Sequence, residues 1–445
     1  MKKPNLLLIQ TDQHSCWSLG AYGAAMISTP NIDRIAVEGA VANNFFTNSA
    51  VCTPSRACLL SGCYPHKNGA YANNLTMKDD TATLSRILWN AGYMTGYIGK
   101  WHLDGHGIPG FVSPENGMGF ADCRYMFNRG HWKSIVKNDG GWYDVSQEIG
   151  DEKTYTTDFL CDRAAEFISK PSDVPFFLMI SLPDPHQPYT VREPYASMFK
   201  PEDMEIPPTF EQTDQPSWAK KEKKYTEAAL RRNKAAYLGE VKCIDDNIGK
   251  LFAALEARGI LDETIIVLTT DHGDYMGEHG LNEKNRMYEA VYRIPFLMRC
   301  PPIIPAGTVV EPFMSMIDVQ PTLLGLMGID PSGNEDGRDC SALFSLKGSP
   351  PGGENEVYVY HSSCSLAGII TDEYLLAFSE NEEGLLIDRI NDKHQSDNLY
   401  GNEKYKPYIC EQREKLARHH RAAGSPAADW LEKPSSSKAG MKISV

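Results

Sequence analysis

The sequence predicts an α/β protein: a large domain with a mixed, mostly parallel central sheet, then a smaller C-terminal α/β domain with a short antiparallel sheet. Three observations predict it. Short apolar runs recur and end in polar residues. Amphipathic segments of helical period lie between them. A late stretch rich in Gly, Pro and Ser separates this alternation from a group of short strand-like runs.

The first run, Asn5 to Thr11, ends at Asp12 and reads as a strand buried on both faces. Polar residues directly after such a strand lie at its carboxyl end, where open α/β sheets bind ligands. Helices are expected at Pro30 to Glu38, at Ser55 to Leu60 behind a proline, and at Thr83 to Ala91. Thr95 to Gly99 then leads into Lys100 and His102, and Phe176 to Leu182 leads into Asp184 and His186. Pro201 to Lys221 reads as a surface loop. A long helix is expected from about Lys223 to Ala257, with Ala229, Ala236, Val241, Ile244, Ile248 and Leu251 near helical spacing. Thr264 to Thr270 leads into Asp271 and His272. The composition shifts over Asp330 to Glu356, which divides a catalytic domain, 1–334, from a smaller domain, 335–445. Val357 to Tyr360, Gly368 to Thr371, Tyr374 to Ser379 and Gly384 to Ile387 follow as short strands. From Ser425 a loosely held tail is expected, and residues after Leu399 carry no functional signal. There are no internal repeats.

The net charge of −14 argues against nucleic acid, so an anionic substrate has to be held by a few local cations. Eleven cysteines without a CxxC pair read mostly as small buried hydrophobes in a reducing compartment. Lys2 and Lys3 mimic the start of an export signal, but the apolar run behind them stops after four residues, and no stretch approaches a membrane span. The expectation is a cytoplasmic protein without a membrane partner, or a periplasmic or secreted one had a signal been trimmed. Oligomeric state leaves no trace in the sequence.

The most informative segment is Cys52-Thr53-Pro54-Ser55-Arg56 with Ala57 to Gly62. Taken alone, Cys52 is a buried thiol at a helix start, or a thiolate nucleophile activated there, which would need a neighbouring His/Asn pair. The segment resembles the maturation signature of the Cys-type sulfatases of the alkaline phosphatase superfamily, in which the cysteine becomes Cα-formylglycine (3-oxoalanine). Asp12-Gln13, Gly99-Lys100-Trp101-His102, Asp184-Pro185-His186, Thr270-Asp271-His272-Gly273-Asp274 and Lys284 extend the resemblance, in that family's order, over roughly residues 4 to 330. It implies an alkaline-phosphatase-like fold, a formylglycine-generating maturation enzyme as partner, and hydrolysis of a sulfate monoester to alcohol and inorganic sulfate. The hydrated aldehyde would attack sulfur with one hydroxyl; the second would collapse the sulfated enzyme, which a plain serine cannot do.

Asp12, Gln13, Asp271 and His272, with Cys52, are the expected holders of one divalent metal. Oxygen donors dominate, which favours Ca²⁺, then Mg²⁺. Gln13 and His272 stand where many members have Asp and Asn, which raises the standing of Mn²⁺ and Zn²⁺. Arg56 would hold the diol or an ester oxygen, Lys100 would add charge, and Lys284 would bind sulfate. By the resemblance, His102 is the base that starts collapse, facing the same way as Lys100 were the chain extended there, and His186 protonates or orients the leaving oxygen. Asn73 or Asn74 is a candidate substrate amide. His106, His131, Trp132, Glu278 and His279 are weaker candidates. A phosphonate or phosphate ester hydrolase of the same superfamily is the alternative; by the resemblance such enzymes carry neutral Tyr and Thr where this chain has Lys100 and His102. An inactive binding protein on this fold is the alternative of another class, but it would have lost one of these residues. A small-molecule or oligosaccharide sulfate ester is the expected substrate, a sulfated sugar first, because His272 and the short spacing to Lys284 resemble the uronate-sulfatase side of the family; choline sulfate and aryl sulfates stay open.

Overall fold

The computed structural model describes residues 3–105, 110–220, 225–348 and 352–433. Its centre is an eight-stranded sheet in the order Thr308–Val310, Ala40–Ala42, Phe296–Arg299, Thr264–Thr270, Asn5–Thr11, Phe176–Ser181, Met94–Lys100, Asp122–Phe127. Only Phe296–Arg299 runs antiparallel to its neighbours; the other pairings are parallel, as the alternation of runs predicts. Asn5–Thr11 is buried at every residue because both faces are covered. Leu6 and Leu8 join one core with Ala57, Leu60, Leu84 and Leu323, while Leu7 and Ile9 join another with Ile32, Phe167, Leu238 and Leu255.

The long helix runs Glu227–Ala257, its start set by the Thr226 side chain accepting from the Ala229 N–H. Lys223, near which the sequence starts it, lies outside the described residues, as do Lys221 and His106. The helix expected at Ser55 begins three residues earlier and spans Cys52–Ser61, buried along its whole length, before Gly62 closes it in the left-handed conformation. All eleven cysteines are unpaired, and eight of them are buried. No helix among the described residues is long and apolar enough to cross a membrane.

Glu356–Tyr360, Leu366–Thr371, Tyr374–Ser379 and Gly384–Asp388 form the short antiparallel sheet. Val357, Val359, Ile370, Leu375 and Ile387 pack on Phe46, Tyr275, Tyr288 and Tyr292 of the larger body. The opposite face, with Ile369, Leu376 and Phe378, lies under helix Lys406–Ala422. The loosely held tail expected from Ser425 is corrected here. Ala427–Leu431 is a helix whose Trp430 and Leu431 are buried in that same core, so apolar burial outweighs terminal fraying. Residues 434–445 lie outside the described residues.

Strand register decides what meets at the carboxyl edge. Thr11 lies opposite Thr270, Gln10 opposite Ser181, and Ser181 opposite Gly99, so four adjacent strands end level. Gly99 has φ +109°, and a Cβ there would lie 1.9 Å from the Ser181 carbonyl oxygen. Only glycine permits the approach that delivers Lys100 to this edge.

Candidate active site

Asp12 and Asp271 leave neighbouring strands side by side, and Arg56 reaches between them from the helix that starts at Cys52. One guanidinium nitrogen, Nη2, donates to Asp12 Oδ2 at 2.9 Å and to Asp271 Oδ2 at 2.9 Å. Nε donates to Asp271 Oδ2 at 3.1 Å. Nη1 donates to Ser181 Oγ at 2.6 Å, the Lys100 carbonyl at 3.0 Å and Gln10 Oε1 at 3.2 Å. The expected contact from Arg56 to the nucleophile or an ester oxygen is therefore replaced: its donors are spent on protein acceptors, and it clamps the two carboxylates. Burial opposes ionisation of Asp12, but Lys100, Arg56 and Lys284 outweigh it and hold its pKa well below the usual carboxylate range.

Cys52 opens its helix, with Lys284 Nζ 3.3 Å, His272 Nε2 3.3 Å and Lys100 Nζ 4.0 Å from its sulfur. Burial pushes the thiol pKa up; Lys100 and Lys284 overcome it and bring the pKa well below the usual thiol value. The pocket is thus built to stabilise an anion at position 52. Lys284 also donates to Gln13 Oε1 at 2.9 Å and to His186 Nε2 at 2.8 Å. The Gln187 carbonyl lies 2.7 Å from His186 Nδ1. A carbonyl only accepts and an ammonium only donates, so His186 is neutral, with its proton on Nδ1. Burial, assisted by Lys284, carries its pKa down to about 3.

The donor set fits a divalent cation. Single ligand atoms of Asp12, Cys52, Asp271 and His272 all lie within 4.8 Å of one another. His272 Nδ1 meets the Gly273 carbonyl at 3.0 Å and so carries the proton; the Nε2 lone pair is left facing Asp271 Oδ1 at 3.5 Å. Asp271 Oδ1 also accepts from the Gln13 and His272 N–H groups, but the buried Asp12 Oδ1 has no partner among the described residues, and that orphaned oxygen beside the Nε2 lone pair suits a positive charge.

His102 has φ 56°, so the chain is not extended there; its backbone N–H is held by the Asn128 carbonyl at 2.6 Å, its own carbonyl accepts from the Thr53 hydroxyl at 2.7 Å beside Cys52, and its Nδ1 is buried without a hydrogen-bond partner among the described residues. Asn73 Oδ1 accepts from the Thr53 N–H at 3.1 Å, beside Cys52. Asn74 Oδ1 accepts instead from Arg129 Nη1 at 3.0 Å. Among the weaker candidates, His131 proves close to the chemistry: its Nε2 accepts from Lys100 at 2.8 Å, and its ring stacks on His186 at 3.8 Å. Its only local signal was a Gly-rich, aromatic loop, which a plain loop explains equally well. Asp274, which accepts from Gln13 Nε2 and the Tyr189 hydroxyl, was visible in its motif but carried no role. Gln10 and Ser181 were legible only as polar residues inside buried strands. Lys133 bonds Asp184 Oδ1 at 2.8 Å and Glu240 Oε1 at 2.7 Å, anchoring the segment that carries His186.

His279 lies elsewhere, stacked on Tyr288 at 3.8 Å. Burial carries its pKa down to about 3, and burial likewise carries those of His361 and His419 down to about 4. Unfolded imidazoles titrate near 6.5, so below that pH the unfolded chain binds more protons than the folded one. The stability these groups contribute is complete above about pH 6.5 and falls as the pH drops towards 4, by about 1.4 kcal/mol per pH unit for each group. Urea midpoints measured from neutral pH downwards are expected to decline over this window; a flat profile would contradict the burial.

The Sulfatase family model matches residues 4–329, and a model described as N-sulphoglucosamine sulphohydrolase, C-terminal, matches residues 277–422. The N-acetylglucosamine-6-O-sulfatase of Bacteroides thetaiotaomicron is 27% identical over 480 residues, covering 91% of this chain and 84% of its own. A solved structure of a protein in complex with its substrate D-glucosamine-2-N,6-O-disulfate superposes with a TM-score of 0.80 at 25% identity, covering 97% of this chain and 100% of that one. The phosphonate monoester hydrolase of Agrobacterium radiobacter shares the fold, with a TM-score of 0.79 at 22% identity over 94% of this chain and 96% of its own.

Proposed function

Because the chain belongs to the sulfatase family, whose model matches residues 4–329, we propose that it releases sulfate from a sulfated sugar through a formylglycine made from Cys52. It is a sulfuric ester hydrolase, like the relatives it matches along most of its length. The observation that carries the finer reading is the anion-stabilising pair of cations at position 52, where Lys284 and Lys100 converge beside the cluster of Asp12, Asp271 and His272. The sugar is supported by the names of the relatives, an N-acetylglucosamine-6-O-sulfatase and an ulvan-active sulfatase.

Oxidised by a maturation enzyme and hydrated, position 52 would offer two hydroxyls on one carbon: one to attack sulfur, one to expel sulfate by C–O cleavage. A divalent cation held by Asp12, Asp271, His272 and position 52, with Gln13 alongside, would neutralise a sulfate oxygen and favour the ionised nucleophile; Ca²⁺ suits the oxygen donors best. Arg56 positions Asp12 and Asp271. Lys100 and Lys284 hold the anionic ester. His102 takes the proton of the second hydroxyl. The departing oxygen takes its proton from the Lys284–His186 pair, whose nitrogens lie 2.8 Å apart. Asn73 contacts the leaving group, and the C-terminal domain that we read from residue 335 lends Ser362 to the same cavity.

A phosphonate or phosphate ester hydrolase is the second reading, supported by the shared fold; Lys100 and His102 at the strand end favour sulfate. Inorganic sulfate released from a sulfated monosaccharide and phenol released from a phenyl phosphonate monoester are to be measured side by side. The sulfate ester is expected to be preferred in kcat/KM by roughly 100-fold, with activity lost on chelation and restored by Ca²⁺. A preference for the phosphonate overturns the sulfatase reading, and indifference to chelator removes the cation.

A further inference from the structure

We infer that the leaving group carries a second oxyanion, a carboxylate or a further sulfate, and that Arg286 recognises it. This rests on the sulfated-sugar reading above and names the class of sugar. A cavity of about 350 Å³ lies beside the nucleophile position, lined by Val51, Asn73, Lys284, Asn285, Arg286 and Ser362, among others. That volume suits a small ligand, and the wall is mostly amide, hydroxyl and charge, whereas an aryl leaving group would want an apolar one. Lys284 and Arg286 outnumber Glu283, the one carboxylate of the lining among the described residues, so the cavity is cationic in a chain of net charge −14.

The loop that supplies these groups is strained and pinned. Glu283 has φ 64° and Asn285 φ 71°, left-handed on both sides of Lys284. Such conformations persist where the surroundings hold them, and they cluster at ligand sites. The Glu283 N–H donates to Asp274 Oδ1 at 3.1 Å, and the Tyr275 hydroxyl donates to the Arg286 carbonyl at 2.6 Å. The Asn285 carbonyl accepts from Arg286 Nη1 at 2.8 Å and from His361 Nε2 at 3.2 Å. One short segment therefore sets Lys284 against Cys52 and Arg286 in the wall of the same cavity. Arg286 Nε and Asn285 Oδ1 are buried beneath this wall without hydrogen-bond partners among the described residues, so Arg286 is not spent on a carboxylate of the protein. An oxyanion in the cavity would take the guanidinium in charge-assisted hydrogen bonds. Lys284 then takes the ester that is cleaved, and Arg286 the charge that is kept.

The test uses the matured full chain and three monosaccharide sulfates that differ in one substituent: neutral, carboxylate-bearing and bearing a second sulfate. At least one acidic sugar is expected to exceed the neutral one in kcat/KM by roughly tenfold or more, the two acidic sugars telling carboxylate from sulfate. Arg286→Gln is expected to collapse that preference by roughly tenfold, chiefly through KM, and Arg286→Lys to retain part of it. No preference for either acidic sugar, or a preference that survives in Arg286→Gln, overturns the assignment. Should Arg286→Gln not fold, the native ratio and the Arg286→Lys ratio decide the matter. Absence of sulfate release from all three sugars and from an aryl sulfate would instead sink the sulfatase reading itself.

Discussion

Replacing Cys52 by alanine is expected to lower sulfate release by about 10⁴-fold or more, the scale on which a covalent nucleophile is missed. The fold should survive. The side chain lost is small, and the helix it opens is anchored by Arg56 and by the Ser55 hydroxyl on the Asp271 carbonyl at 2.6 Å. Cation binding should weaken only modestly, since Asp12, Asp271 and His272 stay in place. Cys52→Ser sharpens the test. A serine retains one hydroxyl in the same cationic pocket but lacks the second, so it is expected to take up sulfate once and then stall, giving at most a stoichiometric burst without turnover. Sulfate release, intact mass of the native and sulfate-treated proteins, and thermal melting together check this. Full activity in the alanine variant would exclude position 52 as the nucleophile. Full activity in a native protein whose mass shows unmodified cysteine would exclude the aldehyde.

Arg56→Met is expected to cost about 3–5 kcal/mol of folding stability and to abolish activity along with it. Arg56 is 1% exposed and bonds two carboxylates that are fully buried, Asp12 and Asp271. Taking away the guanidinium leaves two like charges side by side in the interior, with Lys100 still on Asp12. It also leaves Gln10 Oε1 and Ser181 Oγ short of a donor, while the Lys100 carbonyl keeps the Tyr97 hydroxyl. A methionine of similar length fills the volume, so the loss measured is electrostatic and not a cavity. A divalent cation held as proposed would pair with the same two carboxylates, so the deficit should be larger with chelator than with Ca²⁺. Urea denaturation in both conditions reads the difference. Equal midpoints for native and variant would mean that the clamp stabilises nothing.

The parts legible beforehand share a physical origin. Strands buried on both faces must be apolar, so Asn5–Thr11, Phe176–Ser181 and Thr264–Thr270 announce themselves, and whatever follows each run has to sit at the carboxyl edge of the sheet. That rule alone brings Asp12, Lys100, His186 and Asp271 to one edge. The sulfatase-like segment around Cys52 identified the family for the same kind of reason: its residues are contiguous, so their order survives in one dimension.

What failed was always a matter of partners. Which acceptors Arg56 faces depends on the register of three strands it does not belong to, and its reach towards the nucleophile gave way to a clamp on Asp12 and Asp271. His131 looked like an ordinary loop residue until the fold laid its ring 3.8 Å from that of His186. His102 came to lie beside Cys52 on a left-handed backbone, not by strand alternation. The helix at Ala427–Leu431 reads as a frayed tail because the apolar face that holds it, Leu376 and Phe378, is distant in the chain. Local pattern alone determined four central strands and the polar edge they share, because burial and turn chemistry act between neighbours; Cys52 stood out only through the resemblance of its contiguous segment to a known family. The hydrogen-bonding state of each site residue was decided only by tertiary structure, because a buried donor takes whichever acceptor packing brings within 3 Å or so.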